Sequence, residues 1–127
     1  MLRRRRLCAG LAGIGAAAIA GLAAAHHGLI AFDTSTVRSW EGFVSKEMDG
    51  FPHWEINIRV DSVDWQVDLG NDFVLERAGF APDGADFAVG DAIVVEGYRA
   101  KDADLRRIAP VRITIDGKTR GIEVEID

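Results

Sequence analysis

Trp54-Glu55-Ile56-Asn57-Ile58-Arg59-Val60-Asp61-Ser62-Val63-Asp64-Trp65-Gln66-Val67-Asp68-Leu69 is the stretch whose reading decides the fold. Trp54, Ile56, Ile58 and Val60 alternate with Glu55, Asn57 and Arg59, the period of a half-buried strand. Val63, Trp65, Val67 and Leu69 repeat the pattern against Asp64, Gln66 and Asp68. A two-residue turn at Asp61-Ser62 pairs Val60 with Val63, Ile58 with Trp65, Ile56 with Val67 and Trp54 with Leu69. Every apolar side chain then meets an apolar one, which selects this register. Asp-Ser is a poorer turn dipeptide than Asn-Gly, so a longer loop with a slipped register is the alternative. The same register sets Glu55 across from Asp68 on the outer face. Like charges there need solvent or a bridging cation.

Outward from this hairpin, residues 37–45 read as a preceding strand with Trp40, Gly42 and Val44 on one face. A glycine inside a strand marks a bend where a sheet curls. Asn71-Asp72 caps a short helix at residues 73–78, stopped by Gly79. Val89-Gly90-Asp91 turns into a fourth strand at residues 92–98. A fifth follows at 108–115, where Pro110 marks an edge. Beyond Asp116-Gly117, Ile122, Val124 and Ile126 alternate with Glu123 and Glu125.

Five strands with one helix between the third and fourth is the order of an OB-fold, a small Greek-key barrel. An immunoglobulin-like sandwich wants about seven strands and no helix. The expected fold is therefore all-β with one short helix, an OB-fold-like five-stranded barrel over residues 36–127. Trp54, Ile56, Ile58, Trp65 and Val67 should lie inside it. An extended N-terminal arm at residues 26–35 precedes the barrel.

Ahead of the arm, Met1-Leu2-Arg3-Arg4-Arg5-Arg6 leads into an apolar, alanine-rich run that ends Ala23-Ala24-Ala25. A basic start, an apolar region and an Ala-x-Ala exit make a secretory signal, assigned to residues 1–25. The run is also about long enough to span a bilayer, so an uncleaved leader is the one route to a membrane. The expected location is the periplasm or the exterior, by the general or the twin-arginine route. Cleavage leaves about 102 residues, the size of one domain. They carry 11 basic and 20 acidic side chains, a net charge of −9. Such a surface repels phosphate backbones and excludes nucleic acid as a partner. Cys8 lies in the leader, so the mature chain has no thiol with which to hold a metal.

The chain has three histidines: His26 and His27 at the cleavage junction, and His53 at the start of the central strand. Cleavage after Ala25 makes His26 the first residue. Its α-amine and imidazole then chelate one copper ion, with His27 or His53 as a further nitrogen. Cleavage after Ala24 gives Ala25-His26-His27, whose amine, two amides and third-position imidazole form a square-planar site. Both suit Cu²⁺, which sits near the top of the divalent affinity order. His53, with Glu55 and Asp68 on the same face, is a lesser His/carboxylate cation site.

His26-His27-Gly28 with Phe32-Asp33, Trp40-Glu41-Gly42-x-Val44, Pro52-His53, Trp65-x-Val67-x-Leu69, Leu75-x-Arg77-x-Gly79-Phe80 and Val89-Gly90-Asp91-x-Ile93-x-Val95-x-Gly97 together resemble a family of small exported bacterial proteins of unknown function. That resemblance implies an OB-like domain and no established activity. The family usually has Asn before Pro-His, where this chain has Phe51.

No nucleophile triad, phosphate-binding glycine loop or distinctively spaced carboxylate pair is present, so an enzyme is the less favoured class. The expectation is an exported small binding protein that takes up copper through its N-terminal histidine pair. The alternative is a metal-free envelope module that binds a protein or small ligand through the barrel.

Overall fold

The computed structural model describes residues 27–123. Its elements are α1 (His27–Ile30), β1 (Arg38–Asp49), β2 (Trp54–Val60), β3 (Val63–Gly70), α2 (Asp72–Ala78), β4 (Ala92–Arg99), β5 (Arg107–Ile115) and β6 (Lys118–Gly121). Hydrogen bonding orders the sheet β3-β2-β1-β4-β5-β6. A parallel contact between β3 and β5, Gln66 with Arg107 and Val67 with Ile108, closes the first five strands into a barrel. The all-β, one-helix expectation holds.

The β2–β3 hairpin follows from local chemistry. Asp61 and Ser62 take positive φ of 50° and 68°, the two-residue turn whose twist matches paired strands. Val60 pairs with Val63, Ile58 with Trp65, Ile56 with Val67 and Glu55 with Asp68, so the shorter loop and unslipped register are observed. Trp54 differs. An irregularity between Trp54 and Glu55 sets it opposite Gly70 instead of Leu69. Its indole Nε1–H donates to Asp72 Oδ1 at 2.6 Å, a polar tether that alternation does not foresee.

β1 is long because it serves two neighbours. Its first half pairs with β4, from Arg38 opposite Gly97 to Phe43 opposite Ala92, and its second half pairs with β2. The strand therefore runs to Asp49, beyond the expected residue 45. Gly42 sits at the handover. A Cβ there would lie 1.9 Å from the carbonyl oxygen of Arg59, so only glycine admits the close approach.

The helix obeys its capping signals. Asn71 Oδ1 accepts from the Val74 N–H at 3.0 Å, and Gly79 closes the helix in the left-handed region at φ 91°. α2 buries Val74 and Leu75 against the barrel. Inside lie Val44, Ile56, Ile58, Val67, Leu69, Val95, Ile108 and Ile113, all fully buried. Each such side chain contributes about 1.5–3 kcal/mol relative to exposure. Trp40 is buried, whereas Trp54 and Trp65 are only partly so and pack against the core from its rim.

Three further expectations are corrected. β5 is not an edge strand, since it pairs with β4 on one side and with β3 and then β6 on the other. Pro110 falls between the residues that meet β3 and those that meet β6, a local gap where no N–H is needed. The last strand is residues 118–121, and Ile122 beyond it is buried without being part of a strand. Val124 and Ile126 lie outside the described residues. Finally, the arm is not extended throughout, because α1 is one helical turn before the chain straightens at Phe32.

That straightened segment is strapped to the barrel. Phe32 forms an isolated antiparallel bridge with Ala100. Asp33 N–H donates to Arg99 O and Lys101 N–H to Ala31 O, both at 2.8 Å. Phe32 is buried with Ala100 and Ala109, and Leu29 and Tyr98 pack against them.

Candidate functional site

His26 lies outside the described residues, and His27 opens α1. His53 is the last residue of the turn before β2. It is exposed, with its N–H donating to Gly50 O at 2.9 Å. The turn presents His53 between Pro52 and the tethered Trp54, so its imidazole is available to solvent.

The carboxylates expected to join it are already engaged. Glu55 and Asp68 do face each other, and the amide of Gln66 donates to both, each at 3.2 Å. Arg107, brought alongside by the β3–β5 closure, donates from Nη2 to Asp68 Oδ2 at 2.5 Å. The guanidinium also lies 5.4 Å from the centroid of the Phe32 ring. Arg107 thus neutralises Asp68 directly, and Gln66 links Asp68 to Glu55. Among the described residues, no group of three or more His, Cys, Asp or Glu is placed to hold a metal ion.

Two other pairs neutralise charges on the strands. Asp64 takes a two-pronged contact from Arg59, at 2.8 and 2.9 Å, and Glu96 takes one from Arg112. Those guanidinium hydrogen bonds lower both carboxyl pKa values below the ordinary range.

Sequence reasoning missed two surfaces. The first is a cleft of about 330 Å³ lined by Asp33, Arg38, Arg99, Ala100, Lys101 and Ala103. Arg38 stands opposite Gly97 in the β1–β4 ladder, and Arg99 and Lys101 follow at two-residue steps. Only that long-range register could have shown that three cations converge here. The second is aromatic: Phe51 and Phe73 are 71% and 58% exposed, and the Phe51 ring lies 5.5 Å from that of Trp54. Phe51 precedes the Pro-His motif and Phe73 opens α2, so each was visible singly and their exposure was not.

Among the described residues no helix is long and apolar enough to cross a membrane. A family model described as a family of unknown function (DUF6152) matches residues 15–108. That span runs from within the apolar N-terminal run to the first residues of β5. No curated protein matches the chain.

Proposed function

The chain belongs to the DUF6152 family of unknown function, and from that premise we propose that it is an exported small binding protein whose processed N-terminus takes up one Cu²⁺. The observation that carries the reading is the placing of two of the three histidines directly after Ala23-Ala24-Ala25. Cleavage there creates an α-amine beside two imidazoles, a nitrogen donor set suited to the tetragonal preference of copper. Export supplies the amine, and without it the ligand set is incomplete.

The barrel supports the reading in two ways. Residues 31–33 are strapped to the end of β4, so the new terminus follows from a fixed point only a few residues away. A terminus so tethered loses less freedom on closing a chelate than a long free tail does. Glu55 and Asp68, the carboxylates that share a face with His53, are engaged by Gln66 and Arg107, so the proposed site draws on nitrogen donors. His53 then enters only as a further nitrogen ligand, with His26 and His27 as the primary pair.

Mass spectrometry of the mature protein tests the premise, with a first residue of Ala25 or His26 expected. The two termini predict opposite variant behaviour. If His26 is first, His26→Ala breaks the chelate ring. If Ala25 is first, His26 contributes only its backbone amide and His27→Ala is the damaging change. Recovery of the unprocessed chain as the sole species would remove the amine and the proposal with it. A second reading, a metal-free envelope module that binds a protein partner, rests on the exposed Phe51 against the Trp54 ring and on the exposed Phe73. It predicts that Phe51→Ser and Phe73→Ser abolish partner binding and that the processed protein takes up no copper.

A further inference from the structure

The cleft where the arm meets β4 gathers positive charge in a chain that is otherwise acidic. Among the described residues five ion pairs form, and Arg38, Arg99 and Lys101 belong to none of them. All three line the same 330 Å³ cleft. Holding three cations together without carboxylates in contact is unfavourable unless something anionic is there to receive them.

The one acidic group in the lining is Asp33, and its carboxylate already accepts from its own turn. Ser35 N–H and Ser35 Oγ donate to Asp33 Oδ1 at 3.1 and 2.5 Å. Those hydrogen bonds, and then the nearby charges of Arg38 and Lys101, lower the Asp33 pKa. The lining therefore holds one fixed anion against three cations. Asp102 and Asp104 share the following loop but do not line the cleft. Asp102 Oδ1 is taken by the Asp104 N–H at 2.9 Å.

Arg99 is set in place before any ligand arrives. Its guanidinium lies 5.0 Å from the centroid of the Trp65 ring, and its Nη2 donates to Ala103 O at 3.1 Å. Trp65 is itself braced by Trp40, with ring centroids 5.3 Å apart. A guanidinium fixed on an aromatic face keeps further N–H donors for an oxyanion, and a pre-ordered fork loses little entropy on binding. Arg38 and Lys101 are exposed and flank it from the neighbouring strand and the loop. The volume falls at the lower end of small-molecule pockets.

We infer that this cleft binds a small free oxyanion, a carboxylate or phosphate group, held by Arg38, Arg99 and Lys101. The site uses none of the histidines and is independent of copper.

The test is an NMR titration of the processed protein with two probes, inorganic phosphate and succinate, at low ionic strength. Saturable shifts at the amides of Asp33, Arg99 and Lys101 are expected with at least one probe, and the tighter probe identifies the preferred geometry. Arg38→Gln with Lys101→Gln should weaken binding roughly tenfold or more, since two charge-assisted contacts are lost. Both side chains are exposed and unpaired, so the spectrum elsewhere should stay unchanged. Asp33→Asn keeps the Ser35 acceptor and removes the resident charge, and it should tighten binding about threefold. Shifts that never saturate with either probe would overturn the site. So would a midpoint indifferent to the double substitution, or an Asp33→Asn variant that binds no better.

Discussion

Two charged regions of this barrel have been treated differently. On the outer face of β2 and β3, Gln66 and Arg107 donate to Glu55 and Asp68, although the buried Arg107 Nε has no partner among the described residues. Where the arm meets β4, Arg38, Arg99 and Lys101 share a cleft with one carboxylate that is bonded elsewhere. Both regions are built by long-range closure, the first through β3–β5 and the second through β1–β4. The first has spent its chemistry on the fold. The second leaves Arg38, Arg99 and Lys101 outside every ion pair among the described residues. Acidic residues alone therefore do not locate a cation site in an acidic protein, because the arrangement of donors around them decides.

The largest expected effect strikes the support of the open region. Trp65→Ala removes a ring held between Trp40 and Arg99, and should cost about 3 kcal/mol in urea denaturation. Oxyanion affinity should fall with it, as Arg99 loses the surface that orients it. If stability falls but affinity does not, the ring is structural and has no part in the cleft.

A smaller cost is expected on the closed face. Arg107→Ala leaves Glu55 and Asp68 facing each other with only Gln66 between them. The Asp68 and Arg107 side chains are 23% and 36% exposed, so solvent screens part of the loss. About 1–2 kcal/mol is expected from the same measurement. Added Ca²⁺ or Zn²⁺ that restores stability in this variant alone would show that a cation can stand in for the guanidinium.

The fold was legible where chemistry is local. Alternation from Trp54 to Leu69 set the faces of both strands, the parity of Val60 and Val63 chose the turn, and Asn71 and Gly79 bounded the helix. What was not legible came from partners distant in sequence. Trp54 left its expected partner because Asp72 holds its indole, and β1 ran on because β2 needed a neighbour. Pro110 resembled an edge because no alternation shows where β3 stops and β6 begins beside β5. The candidate site divides the same way. The histidines are a contiguous motif, while the cationic cleft exists only once Arg38 is set opposite Gly97.

Arg38→Gln should leave stability within about 0.5 kcal/mol, since it breaks no ion pair and relieves repulsion among three cations. A clear loss would mean that Arg38 has a structural partner, and would blur the distinction between the two regions.

The smallest effect is on the acid side. Asp64 and Glu96 have folded pKa values lowered chiefly by hydrogen bonds from Arg59 and Arg112. Their contribution is present above the ordinary carboxylate range and is lost as pH falls through the lowered values. The urea midpoint should therefore drop between neutral pH and about pH 3. In Arg59→Gln with Arg112→Gln that drop should be shallower. An unchanged slope would mean that these exposed pairs contribute nothing to acid sensitivity.

A Cu²⁺ titration of the processed protein at neutral pH, followed by visible absorption, compares the closed face with the arm most directly. One equivalent should bind more tightly than Zn²⁺, weaken as pH falls below about 6.5 where free imidazoles protonate, and vanish when His26 and His27 are both replaced by Ala. Glu55→Gln should leave uptake unchanged. No uptake by the correctly processed protein, or uptake that survives loss of both histidines, would contradict the account.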